Sequence, residues 1–318
     1  MDVLIDTDPG MGTLGADPED SLAVTLALAS PEPTVRGITC VQGNVPLRHS
    51  YANAAHLLQL LARTDVPLGA GAERPLLGEQ RHAQLRWLAE RDGLERVIPA
   101  AEPPFPEPRA VDLIRCAARE SDGLTIVAIG PLTNVAAALL ADPELAERLE
   151  RIVVMGGAFE VPGNVTPTAE FNFYMDPEAA QIVLDAGVHP VLVGLDACHR
   201  THLTRTQLAG RGFESPLGRF VQRSCAAWLP TADDEDGPHL YDSLALAAAL
   251  RPKILTLDPA LVRIETTSDT LAGTSVAWLP GRASAWSRPD RPDNALVATD
   301  VDVEAFDALF DQRVLSQL

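Results

Sequence analysis

An α/β fold, with an open, mostly parallel, Rossmann-like sheet and helices on both faces, follows from three features of the sequence. Short apolar strand-like runs alternate with longer helical runs as far as residue 250. The first run ends in Asp6-Thr7-Asp8-Pro9-Gly10, acids followed by a strand stop. Beyond about residue 255 the alternation gives way to strand-like segments at 260–267 and 275–279. These predict a C-terminal antiparallel extension before a last helix over 303–310. No linker or fixed-period repeat divides the 318 residues, so residues 1–318 are read as a single domain.

The elements follow from local pattern. Apolar runs predict strands at 3–6, 35–41, 124–129, 152–155 and 190–195. Helices are expected at 19–29, 51–63, 110–119, 134–141, 177–186 and 243–250. Asp17 is a plausible N-cap with Pro18 as first helical residue, and Asp176-Pro177-Glu178 makes a good first turn. Residues 79–97 read as an amphipathic helix with Leu85, Trp87 and Leu88 apolar, a packed surface helix rather than a lid. The proline-rich 102–108, the acidic 231–238 and the stretch 287–293 read as loops, because proline removes a donor and fixes φ. The acidic loop is taken as solvated surface, not a second metal site.

Composition narrows the partners. A formal net charge of −19 argues against nucleic acid and anionic membranes, which call for basic surface. The four cysteines lack metal or CxxC spacing and are expected to be free thiols. The chain enters a strand directly, with no leader and no apolar run of membrane-spanning length, so a cytoplasmic location is expected.

The chemistry-bearing residues gather at strand ends and helix starts. Alternation places Asp6 and Asp8 on one face, at the carboxyl end where open α/β sheets bind ligands. Paired acids repel unless a cation, a shared proton or a ligand compensates, and a hard cation held by oxygens is the simplest answer. Glu19 and Asp20 complement a helix dipole as first-turn acids, but with Asp6 and Asp8 they make a pocket of up to four carboxylates. Gly156-Gly157 leave room for a ligand. Asn164, Glu170 and Asn172 suit sugar hydroxyls. Asp242 precedes an apolar helix that it also has the chemistry to cap.

In order and spacing these motifs resemble the inosine–uridine-preferring nucleoside hydrolases over nearly the whole chain. The resemblance rests on Asp-Thr-Asp-Pro-Gly (6–10), Val-Gln-Gly-Asn (41–44), Gly-Pro-Leu-Thr-Asn (130–134) and Met-Gly-Gly (155–157). It extends through Gly-Asn-Val-Thr-Pro-Thr-Ala-Glu-Phe-Asn (163–172), Asp-Pro-Glu-Ala-Ala (176–180) and Asp242. It implies a nucleoside hydrolase-like fold, a Ca2+ cofactor, a nucleoside substrate, hydrolysis of the N-ribosidic bond and a homo-oligomer, dimer or tetramer. Asp8, Asp20, Asp242 and the Ile129 carbonyl match its metal ligands, with Asp8 also the general base. Asn44, Asn164, Glu170 and Asn172 match its ribose contacts, and Glu19 stands where an aspartate usually does.

The chain departs from that pattern in three places. Residues 11–18 separate Asp-Pro-Gly from the acidic pair, which leaves Asp17 as an alternative metal ligand to Asp20. Tyr241 stands where many members have a histidine, with His239 two residues upstream. The usual His-Gly before residue 100 is missing. Tyr241, His239 and Trp228 are therefore the candidate leaving-group residues. A ribose- or nucleoside-binding protein without turnover is the alternative from another class, and a nonstandard ribosyl substrate is another alternative. A phosphatase with Asp6 as nucleophile finds little support, since Lys253 is the only lysine.

Overall fold

The computed structural model describes residues 1–230, 236–281 and 287–318; the core of the acidic stretch, 231–235, lies outside them. The described strands are β1 (Asp2–Thr7), β2 (Thr34–Cys40), β3 (Leu68–Ala70), β4 (Leu124–Ala128), β5 (Leu149–Met155), β6 (Val191–Val193), β7 (Leu255–Ile264), β8 (Ser275–Trp278) and β9 (Ala295–Val301). They form one sheet in the order β3-β2-β1-β4-β5-β6-β9-β7-β8. Pairing is parallel from β3 through β6 to β9. It is antiparallel where β7 meets β9 and β8, which forms the C-terminal extension.

Strand alternation explains why both faces are covered. Val3 and Ile5 enter one apolar cluster and Leu4 the other. Helices Glu19–Leu28, Tyr241–Leu250 and Val303–Arg313 pack on the first face; Ala110–Glu120, Thr133–Ala141 and Pro177–Asp185 pack on the second. Helix Tyr241–Leu250 is buried from Asp242 to its end. It shows no polar stripe because it lies wholly inside the molecule.

Chain order reverses at β1, with β2 on one side and β4 on the other. Asp6 pairs with Ala128 across β1 and β4, so Asp8 and Ile129 emerge together at the switch point, where open sheets hold ligands. Two strands, β3 and β9, lie outside the runs that predict strands. The first is three residues long, and the second is inserted between β6 and β7. The predicted surface helix over 79–97 shortens to His82–Asp92.

Candidate active site

The carboxylates at the switch point separate into three environments. Asp6 Oδ1 accepts hydrogen bonds from Thr39 Oγ1 at 2.5 Å and Asn134 Nδ2 at 2.8 Å, beneath the sheet end. Burial pushes its carboxyl up to about 7. This placement makes Asp6 a support of the strand end and removes it from the four-carboxylate pocket that alternation suggested. The other Asp6 oxygen, Oδ2, is buried with no partner.

Asp8 and Asp20 stay together. Asp20 Oδ1 accepts from Asp8 N at 3.0 Å and from Thr7 Oγ1 at 2.6 Å, and Asp20 Oδ2 accepts from Asn44 Nδ2 at 3.0 Å. Asp8 Oδ2 accepts from Asn44 N at 2.6 Å, whereas Asp8 Oδ1 is buried with no partner. Burial, then the charge of Asp20, raises the Asp8 carboxyl well above the ordinary carboxylate range. A Cβ at Gly43 would stand 2.0 Å from Asp8 Oδ2, and one at Gly130 would stand 2.6 Å from Oδ1. Both glycines are thus a steric requirement of the Asp8 carboxylate.

Glu19 and Asp20 are successive helical residues about 100° apart, so their side chains diverge. Asp20 turns to β1. Glu19 accepts from Asp242 N, from Ser243 Oγ and, at 2.9 Å, from Ser243 N. Rather than reaching toward a sugar, it caps helix Tyr241–Leu250 and so fixes Asp242. Asp242 itself lies inside the first turn instead of capping it. Its carboxyl is raised well above the ordinary range by burial and then by Asp20, Glu19, Asp17 and Asp8. Asp17 Oδ1 accepts from Glu19 N at 2.9 Å, but the helix begins at Glu19 with Pro18 as its N-cap, so Asp17 stands one residue before the capping position expected of it.

A cleft of about 660 Å³ lies beside this cluster; Asp17, Asn44 and Asp242 line it, whereas Asp8, Glu19 and Asp20 are fully buried and do not. Its floor is polar and buried: Glu170 and Asp242 lie there with Asn172, beside the Ile129 main chain. Glu170 accepts from the N–H groups of Asn172 (2.8 Å), Phe173 (3.1 Å) and Gly157 (3.1 Å), and burial lifts its carboxyl to about 7. Asn172 Nδ2 donates to the carbonyls of Ile129 at 3.2 Å and Met155 at 3.1 Å. Asn44 and Asn164 also line the cleft; Asn164 is exposed and its Oδ1 accepts from Phe171 N at 3.0 Å.

The rim is aromatic and half-buried: Trp87, Phe171, Trp228 and Tyr241. Trp87 and Phe171 rings lie 5.5 Å apart, and Trp87 Nε1 donates to Gly43 O at 3.1 Å. Trp228 sits in a turn after helix Pro216–Ser224. His239 does not line the cleft; it packs against His199, His202 and Tyr241 behind the rim. Burial lowers the pKa of His239 and raises that of Tyr241. Trp87 and Arg91, within the predicted packed surface helix, are residues of the cleft rim. Their i, i+4 spacing was the available signal.

The glycines after β5 make room for protein, not for a ligand. A Cβ on Gly156 would meet the buried Phe173 ring at 2.4 Å, and one on Gly157 would meet Phe159 at 2.6 Å. Gly156→Ala is expected to cost about 1–3 kcal/mol of stability by overpacking. A urea midpoint equal to that of the native chain would contradict it.

Among the described residues, no three acidic, histidine or cysteine side chains converge as a closed metal-ligand set. What the structure does show is electrostatic coupling of Asp8 and Asp242 to Asp20, one unpartnered oxygen on Asp8, and an Ile129 carbonyl that keeps a second lone pair. A hard cation that accepts carbonyl and water oxygens fits this set better than one requiring a full side-chain cage.

An open α/β sheet with an acidic cleft at its switch point defines a class of hydrolytic or ligand-binding proteins, and comparison with known proteins narrows it. The profile of the inosine-uridine preferring nucleoside hydrolase family matches residues 3–308. The chain is 35% identical over 328 residues to the pyrimidine-specific ribonucleoside hydrolase RihA of Shigella boydii, covering 99% of this chain and 98% of that one. Among solved structures it resembles the plant nucleoside hydrolase PpNRh1, with a TM-score of 0.79, 32% identity and 98% of each chain covered. It also resembles a purine-preferring ribonucleoside hydrolase from Gardnerella vaginalis, with a TM-score of 0.80 and 28% identity, covering 100% of this chain and 99% of that one. The chain belongs to the inosine-uridine preferring nucleoside hydrolase family and is a nucleoside hydrolase. No described helix is long and apolar enough to cross a membrane.

Proposed function

We propose that this chain releases free base and ribose from ribonucleosides, with Asp8 as general base and Ca2+ as cofactor. The observation that carries the reading is Asp8 itself. One oxygen is pinned by Asn44 N–H, and the other is buried, unpartnered and cleared by Gly43 and Gly130. Such an atom is suited to a cation, a water or both.

Asp8, Asp20, Asp242 and the Ile129 carbonyl would hold the ion. A Ca2+ held there would supply positive charge that lowers the pKa of a nearby water. Asn44, Asn164, Glu170 and Asn172 position the ribose through the polar floor, and Glu19 contributes by holding Asp242 in place. Asp8 takes the water's proton as its oxygen bonds to the anomeric carbon. The transition state is oxocarbenium-like, and the surrounding carboxylates stabilise its charge. Half-buried rings at the rim suit a flat leaving base.

Pyrimidine ribonucleosides are the favoured substrates, on two grounds. No histidine stands among the described residues lining the cleft to protonate a purine, and the RihA relatives are named for pyrimidine specificity. Self-association into a dimer or tetramer, a cytoplasmic location and a role in nucleoside catabolism or salvage complete the proposal. The test is release of ribose from uridine, cytidine, inosine, guanosine and adenosine, with Ca2+ and with chelator. Ca2+-dependent release, greatest from the pyrimidines, is expected. Binding of nucleosides without any release would favour a binding protein of the same fold.

A further inference from the structure

The cleft is acidic at its floor, yet one cation stands at its rim. Among the described residues that line it, Arg91 carries the positive charge. Its position is fixed from two sides. The guanidinium lies 4.1 Å above the Trp87 ring, one helical turn earlier, and Arg91 Nη1 donates to Gly15 O at 3.0 Å. Trp87 is in turn tied to Gly43, next to the Asn44 that holds Asp8 and Asp20. Gly15 belongs to the stretch that separates Asp-Pro-Gly from the acidic pair. That stretch is itself docked on the chain following the helix, with Leu14 N donating to Glu95 O at 2.8 Å and Val97 N to Gly12 O at 2.8 Å. A guanidinium has five N–H donors, so its tie to Gly15 leaves donors for a ligand.

We propose that Arg91 is the counter-charge for the departing base, acting on a carbonyl oxygen of an oxygenated base such as uracil or hypoxanthine. The inference rests on the hydrolase reading above and extends it to the leaving group. As the C1′–N bond breaks, its electron pair stays on the base, where charge spreads to the ring carbonyls. The water oxygen bonds to C1′, and the water's proton goes to Asp8. The base anion then takes a proton, so that ribose and neutral base leave and Asp8 is again ionised. A fixed cation at the rim stabilises that anion as it forms, without having to supply a proton. The same charge on the floor would repel the cationic sugar; on the rim it meets the group that turns negative.

The test compares leaving groups. kcat is measured for uridine, inosine and 4-nitrophenyl β-D-ribofuranoside in the native chain, Arg91→Gln and Arg91→Lys. The nitrophenolate ion is stable without help, so its departure needs no counter-charge. Arg91→Gln is expected to lower kcat on uridine and inosine by about 10²-fold, the scale seen when one stabilising donor is removed. It should leave kcat on the nitrophenyl riboside within about threefold, and Arg91→Lys should recover part of the loss. Equal losses on all three substrates would assign Arg91 to packing against Trp87 and Gly15 and overturn the proposal, as would no loss on any. A native chain inert toward all three would overturn the hydrolase reading itself, which separates the two failures.

Discussion

Asp8→Asn is expected to lower nucleoside turnover by about 10²–10⁴-fold, the contribution of a positioned general base. The same substitution is expected to raise the melting temperature of the metal-free protein. The native carboxylate is buried, has one unpartnered oxygen and faces the charge of Asp20. Replacing it with a neutral amide removes that repulsion, while the amide oxygen can still accept from Asn44 N. Opposite movements of activity and stability distinguish a chemical role from a structural one, because a damaged fold would lower both. Ribose-release kinetics and thermal unfolding of one preparation suffice. Near-native turnover would remove Asp8 from the role of base.

Much of this site was legible because it lies in short, local motifs. Asp8 follows a strand, and Asp20 opens a helix whose bounds were read to within one residue. Direction was harder. Glu19 and Asp20 are neighbours in sequence, and only the fold brings helix Tyr241–Leu250 over one of them and β1 beside the other. The glycines after β5 were misread for a related reason: their crowding comes from Phe173 and Phe159, which reach them only through tertiary packing. Strand β3, at three residues, is too short for a period to register. Strand β9 contains Ala298, Thr299 and Asp300, a weak alternation; it is a strand because β6 and β7 hold it on either side. Trp87 and Arg91 looked like surface residues of an amphipathic helix until that helix was seen to border the cleft.

Removing divalent metal is expected to produce the other large effect, and its pH dependence follows from the same buried acids. Burial raises Asp17 to about 6, Asp6 and Glu170 to about 7, and Glu19 to about 8, from ordinary values of 3.8 for aspartate and 4.5 for glutamate. Between the ordinary and the raised values the folded chain binds more protons than the unfolded one, so stability falls as pH rises. The contribution of these four carboxyls to metal-free stability is thus fully present below about pH 4 and is lost progressively up to about pH 8, opposed by the histidines whose pKa burial lowers. On the proposed assignment Ca2+ would replace protons as the compensating charge at Asp8, Asp20 and Asp242, so its effect is expected to grow in the direction in which proton compensation fails. At pH 8 and a hundredfold excess over Kd, about 2.7 kcal/mol of stabilisation is expected, or roughly 5 °C in melting temperature for a chain of this size. At pH 5 the gain should be much smaller. Thermal unfolding with EDTA and with Ca2+ at both pH values measures this without reference to turnover. A melting temperature indifferent to both additions at pH 8 would mean that the carboxylates are compensated by protons alone, and the calcium assignment would fall.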